Sequence, residues 1–345
     1  MLAVQLTGIE QMSLAEIEKP VLTGEKDVLI RIKSVGVCGS DVHYYTEGRI
    51  GSQVVDYPFL VGHECAGIVT ACGSGVSRVS PGDLVVIDPS VHCGHCDQCL
   101  SGRPHTCRNN RFLGCPGQLN GCLTEFIVMP EFTCYPVTGL LDADEAALIE
   151  PLSIGVYAVN HASIAQSDAS VAIFGAGPIG LSILMKLLAD GRSGVGMIEP
   201  LGYRLEKARE VGASWLVNPV TEDLQKAVTS LSGLLLDVVF DASGEQEAID
   251  NAVRILKPGG KLVLVGIPVS ARYTFDMDLM RHKELTVINV RRQNKSVEEA
   301  IDLVASRKVH VKKMVTHYFQ LRKTPVAFDI VAGYRDNVVK AMIFL

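Results

Sequence analysis

Ser170-Val-Ala-Ile-Phe-Gly-Ala-Gly-Pro-Ile-Gly180 is the stretch whose reading decides the fold. An apolar run suited to a buried strand ends in glycines at 175, 177 and 180, and Pro178 opens a run to 189 that reads as a helix. In a strand–turn–helix unit the first glycine permits the tight turn. The second lets the backbone approach a pyrophosphate, and the third lets the helix close on the strand. The N–H groups of the helix N-terminus then face the phosphates. An ordinary glycine turn can carry the same letters, so the surroundings must decide. Glu199 ends the next apolar run, about 20 residues on, where an acid accepts bonds from ribose hydroxyls and repels a 2′-phosphate. This favours NAD over NADP. Glu199 could instead be a solvated charge at a strand end, and Arg204 could serve a 2′-phosphate. Gly175, Gly177, Pro178, Ile179, Gly180, Glu199 and Arg204 are the candidate dinucleotide residues.

Working outward, strands alternate with helices from 170 to 290. Strands are expected at 170–174, 195–198, 235–240, 261–265 and 285–290, with helices at 178–189, 203–211 and 245–256. Such alternation means an α/β unit with a parallel sheet. Asp241-Ala-Ser-Gly244 follows a strand, at the ligand-facing edge of such a sheet or in an ordinary turn. The chain before 150 reads differently. Residues 27–33 alternate as a half-buried strand does, and short strands at 67–71, 82–88 and 124–129 are separated by Gly, Pro and Ser turns. The tail from 291 carries a helix at 297–305 and a last strand near 341–345. No internal repeat, low-complexity tract or long linker interrupts the chain.

The 345 residues leave room for two domains. An apolar fraction of 48% with 20% charged residues fits a soluble globular protein, and no apolar run reaches the roughly 18 residues of a membrane span. The first ten residues lack the basic and apolar blocks of a signal peptide, so a cytoplasmic location is expected. A net charge of -6 gives no electrostatic reason to expect nucleic acid or an anionic membrane as partner.

The 10 cysteines all fall between Cys38 and Cys134. Cys93, Cys96, Cys99 and Cys107 sit close together, and four thiolates complete a closed tetrahedral zinc site, which is structural because no position remains for water. His92 and His95 are surplus to it and expected to face solvent. A second set is dispersed: Cys38, His63, Glu64 and Glu150. Their chemistry suits a catalytic zinc with three protein ligands and an exchangeable position. Spacing alone does not bring them together. Cys38 read by itself is a small buried residue, and His63 a satisfied core histidine.

Gly62-His-Glu-Cys-Ala-Gly67, continuing to Gly73 and Val76, resembles the zinc alcohol dehydrogenase signature. Cys38, the four-cysteine loop, Glu150-Pro151 and the glycine fingerprint follow in the order of the medium-chain family. Cys38-Gly-Ser-Asp-Val-His-Tyr-Tyr-Thr-Glu-Gly-Arg-Ile-Gly51 looks particularly like sorbitol (L-iditol) and xylitol dehydrogenases. The resemblance implies a GroES-like β-rich catalytic domain, 1–152 with 291–345, bearing a structural-zinc lobe near 90–110. A Rossmann NAD-binding domain, doubly wound around a parallel sheet, is inserted at 153–290. A substrate cleft between the two domains, two zinc ions per chain, NAD and a homodimer or homotetramer are implied with it. Cys38 and His63 would be catalytic zinc ligands, with Glu64 and Glu150 binding directly or nearby. Ser40 and His43 would relay the hydroxyl proton, or else cap a turn and face solvent.

The resemblance also points to a substrate. Tyr44 and Arg291 fall at positions that contact substrate in polyol dehydrogenases, so oxidation of a secondary hydroxyl of a polyol to a ketose is expected. Arg292 replaces the usual aromatic residue after Arg291, and a second guanidinium would suit a carboxylate. A sugar acid such as idonate, galactonate or gulonate is therefore the alternative, with L-threonine third; Arg292 could also point away. A zinc-free reductase or a non-enzymatic binding protein would lack the zinc ligands or the glycine fingerprint, and both are retained.

Overall fold

A computed structural model describes residues 1–166, 168–268 and 272–345. The chain divides into two compact units, Met1–Glu150 with Val315–Leu345, and Pro151–Met314.

The first unit is built on Asp27–Gly36. Its alternation buries Val28, Ile30 and Ile32 on one face. Glu64–Cys72 pairs antiparallel along one edge of this strand. The other edge takes Phe126–Pro130 at its start and Ala341–Phe344 at its end, also antiparallel. Leu84–Ile87, Cys134–Pro136 and His317–Gln320 complete a seven-stranded sheet. The register has a local consequence: Gly36 lies opposite both Glu64 and Met342, so the end of the central strand joins the Gly62-His63-Glu64 segment to the C-terminal tail. The helix Gly39–Glu47 and the N-terminal hairpin of Leu2–Gly8 with Gln11–Glu16 are elements that the sequence pattern did not announce. The helix Ala143–Ala147 starts with a capping box, in which Asp142 accepts from the N–H groups of Asp144 and Glu145 while Glu145 accepts from that of Asp142. It leads into the helix Ile149–Ala162, whose first turn carries Glu150.

The second unit holds a six-stranded parallel sheet. Its order is Trp215–Val217, Gly196–Ile198, Val171–Phe174, Leu236–Asp241, Leu256–Leu264 and Thr286–Asn289. The chain winds outward in one direction from Val171–Phe174 and then in the other from Leu236–Asp241, the doubly wound pattern expected. The strand Trp215–Val217 is too short to show a period. Leu256–Leu264 runs through Lys257-Pro-Gly-Gly260, where the glycines had suggested a break; only its C-terminal half pairs continuously, from Val238 opposite Lys261 onward. The chain re-enters the first unit at Val315 rather than at 291, because the intervening helix Val297–Ala305 is tied to the second. Buried Lys186 reaches Glu299 at 2.9 Å, and the Asn160 side-chain amide donates to Glu299 at 2.7 Å. Among the described residues no helix is long and apolar enough to cross a membrane.

Candidate functional site

Cys93, Cys96, Cys99 and Cys107 converge in the first unit. Their sulfurs lie 3.5 Å (Cys107 to Cys93), 3.6 Å (Cys96 to Cys99), 3.8 Å (Cys96 to Cys107) and 4.0 Å (Cys93 to Cys99) apart. Sulfurs bound tetrahedrally at a zinc–sulfur distance of about 2.3 Å stand roughly 3.8 Å apart, so the set fits zinc without rearrangement. None of the ten cysteines is in a disulfide. Backbone N–H groups of His95 and Cys96 hold Cys93 down at about 6, while burial pushes Cys99 up to about 12. The loop therefore favours some thiolates and not others, and a divalent cation is what would ionise the last of them. The carboxylate of Asp97 accepts two bonds from Arg108, at 2.6 and 2.9 Å, and clips the loop's two ends together. His95 is exposed as expected. His92 is not: it is half-buried, its ring 4.7 Å from that of Phe132.

Cys38, His63 and Glu64 form the second cluster, with one ligand atom from each within 4.8 Å of the others. Cys38 precedes the helix Gly39–Glu47, while His63 precedes and Glu64 begins the neighbouring strand, so elements distant in sequence meet through sheet register. His63 is buried, with its ring 5.3 Å from Phe112. Its Nδ1 lies 3.3 Å from Asp41 Oδ1, which leaves Nε2 for a metal. Burial favours the neutral ring, but Asp41 and Cys38 outweigh it and raise the imidazole well above its ordinary value; a cation at Nε2 would replace that proton. Asp41 also accepts from the Gly62 N–H at 3.2 Å. The sequence reading passed Asp41 over; a charge three places after Cys38 was its only signal, because the helix start was not legible there. Lys340 was passed over too. It is fully buried and pairs with Glu64, and a lysine next to the apolar tail strand was its only signal.

Glu150 is buried but is not part of the three-residue cluster. Burial pushes its carboxyl up to about 7, with His63 opposing and Glu64 adding to the shift. Ser40 donates to Cys38 Sγ at 3.3 Å, and His43 Nδ1 lies 2.9 Å from Glu47 one turn along the helix. Tyr44 is buried and its hydroxyl is 3.1 Å from Gln53 Oε1.

In the second unit Gly175 has φ of +90°, which favours glycine, and a Cβ on Gly180 would collide with the Gly175 carbonyl oxygen. A Cβ on Gly177 would meet only an Arg204 guanidinium nitrogen, 3.7 Å away, so the second glycine keeps the space a pyrophosphate needs. Pro178 and Ile179 open the helix Pro178–Ala189. Glu199 is buried rather than solvated. Its Oε2 accepts from the Ala176 N–H at 2.8 Å and its Oε1 from that of Leu201 at 3.0 Å. Asp241 caps its own turn through Ser243 and Gly244. Arg291 is exposed. Arg292 is half-buried and has φ of +53°, a strained conformation for a residue with a side chain.

The chain is similar to known dehydrogenases. Residues 24–139 match the alcohol dehydrogenase GroES-like domain, and residues 178–306 the zinc-binding dehydrogenase domain. The chain is 34% identical to a sorbitol dehydrogenase of Bacillus subtilis, over 92% of this chain and 90% of that one. It is 32% identical to an L-idonate 5-dehydrogenase of Vitis vinifera, over 99% and 94%. A crystal structure of an Escherichia coli oxidoreductase/dehydrogenase of unknown specificity superposes with a TM-score of 0.93 at 31% identity, covering 99% of this chain and 98% of that one.

Proposed function

Because the chain belongs to the zinc-dependent medium-chain alcohol dehydrogenase family, we propose that it oxidises a secondary hydroxyl of a polyol, of the sorbitol, iditol or xylitol type, to a ketose with NAD. The observation that carries this reading is the convergence of Cys38, His63 and Glu64 on one point, with the buried carboxyl of Glu150 coupled to the same charges. Cys38, His63 and Glu64 would hold a catalytic zinc, and the four-thiol loop a structural one. The catalytic zinc supplies Lewis acidity that lowers the pKa of a bound hydroxyl towards neutrality. NAD supplies the hydride acceptor.

The chain's own residues do the rest. Asp41 fixes the tautomer and tilt of His63. Ser40 would turn its hydroxyl from Cys38 to the substrate oxygen and pass the proton towards His43, whose Nδ1 is held by Glu47. Glu199 would orient the adenosine ribose while bracing the glycine turn. Tyr44 and Arg291 would meet the remaining hydroxyls. The strand Thr286–Asn289, at an open end of the parallel sheet, would pair with a second copy to give dimers or tetramers.

The second reading, a sugar acid, is favoured by one observation: Arg292, at a positive φ, is half-buried while Arg291 is exposed. Catalytic efficiency should be compared for sorbitol or xylitol and for their aldonates, in the parent and in Arg292→Ala. Polyols are expected to win in both. If the acids win and the variant removes their advantage by about 1.5 to 3 kcal/mol, the size of a charged hydrogen bond, the polyol assignment is wrong.

A further inference from the structure

Lys340 is a lysine where a sheet core should hold an apolar residue. It is 1% exposed, just before the last strand, Ala341–Phe344. A buried ammonium is costly unless it is paired and hydrogen-bonded. Its Nζ donates to the Val37 carbonyl at 3.0 Å and to Glu64 Oε2. The partner carboxylate is itself 1% exposed. Sheet register builds the contact, since Gly36 lies between Glu64 on one side and the tail strand on the other. Gly36 has to be glycine for the pair to exist. A Cβ there would overlap Glu64 Oε2 and stand 2.9 Å from Lys340 Cε and 3.0 Å from its Nζ.

We propose that Lys340 is a positioning residue that holds Glu64 to one-oxygen ligation and so keeps a coordination position open for substrate. The inference rests on the reading of Cys38, His63 and Glu64 as a zinc site. A carboxylate free at both oxygens can close on a metal bidentately and fill the place that a catalytic zinc reserves for an exchangeable ligand. With Oε2 tied to a buried ammonium, a single oxygen remains for the cation.

The test uses the full-length protein as parent, Lys340→Met, Lys340→Arg, Glu64→Gln and the Lys340→Met/Glu64→Gln double variant. The readouts are zinc content, the rate at which dipicolinate removes the more labile zinc, and the visible absorption of the cobalt-substituted forms. In Lys340→Met the labile zinc should leave more slowly, by about tenfold if the second carboxylate oxygen adds on the order of 1.4 kcal/mol to its binding. Its cobalt bands should weaken as coordination number rises, and kcat should fall more than KM changes. Lys340→Arg should behave like the parent. In the Glu64→Gln background, adding Lys340→Met should change the removal rate no further. Zinc leaving Lys340→Met as fast as, or faster than, the parent overturns the proposal, and so does an effect that persists without Glu64. If Lys340→Met does not fold, Gly36→Ala decides. Its Cβ would overlap Glu64 Oε2 and crowd Lys340, parting the pair while both side chains stay in the protein, so slowed removal is expected and unchanged or faster removal counts against. A parent with fewer than two zinc ions, or a Cys38→Ser variant that keeps both, would sink the zinc reading itself.

Discussion

Cys38 and Cys96 carry the same thiol for different tasks. Cys38 belongs to a set of three dissimilar side chains that could hold a metal ion, whereas Cys96 belongs to four sulfurs that close a loop. Cys38→Ser should therefore lower zinc from two to one per chain and abolish turnover while shifting Tm little. Cys96→Ser should lose the other zinc and lower Tm clearly, because binding energy at a structural site is folding energy. Metal analysis with calorimetry checks this, and equal losses of Tm would refute the division. Glu199 has two tasks in the proposed reading, since its carboxylate braces the N–H groups of Ala176 and Leu201 and would also hold the ribose. Glu199→Ala should weaken NAD binding by about 1.5 to 3 kcal/mol, roughly ten- to hundredfold, and relax discrimination against NADP. Titration of cofactor fluorescence measures both. A parent that takes NADP as readily as NAD would mean that Arg204, beside Gly177, outweighs the carboxylate.

Short elements in the first unit depend on side chains that lock their ends. Glu131, opening the turn Glu131–Thr133, accepts from the N–H groups of Ser77 at 2.7 Å and Arg78 at 3.2 Å and pairs with Lys26 at 2.7 Å. Lys26 and these N–H groups hold its carboxyl at about 2, against an ordinary 4.5. A carboxyl lowered on folding adds stability that is complete above its unfolded value and lost as pH falls through the folded one. The Tm difference between parent and Glu131→Gln should therefore be constant above about pH 5.5 and shrink from there to near pH 2. A difference that does not change with pH would show that the contact acts by packing alone. The helix Gly39–Glu47 shows the opposite case. Its N-cap, Cys38, makes no capping side-chain bond, which is why no start signal preceded it in the sequence.

At the scale of the whole molecule, the open end of the parallel sheet is the feature with the clearest consequence. Among the described residues Thr286–Asn289 pairs on one side only, with Leu256–Leu264, and Val287 and Ile288 remain half-buried. An unpaired strand of this composition invites another strand, and pairing with its own copy across a two-fold axis satisfies the free backbone groups. Light scattering should give a mass of two or four chains, and Val287→Lys should reduce it. A parent that is one chain at assay concentration rules this pairing out.

The parallel sheet was legible in the sequence because its signals are local. A buried strand, three glycines and a helix follow one another within a few residues, and each glycine answers a steric demand met by its near neighbours. The four-thiol loop was legible for the same reason, since its ligands lie within one short segment. The second cluster was not. Cys38 and His63 are ordinary residues until the pairing of Asp27–Gly36 with Glu64–Cys72 sets them side by side. Asp41 and Lys340 show the limit most clearly. One becomes the support of His63 and the other the partner of Glu64 only through contacts across 22 and 276 residues of chain. Local composition determined which elements form and which cofactor chemistry they suit. Sheet register, a property of the folded core, decided which charges were buried together.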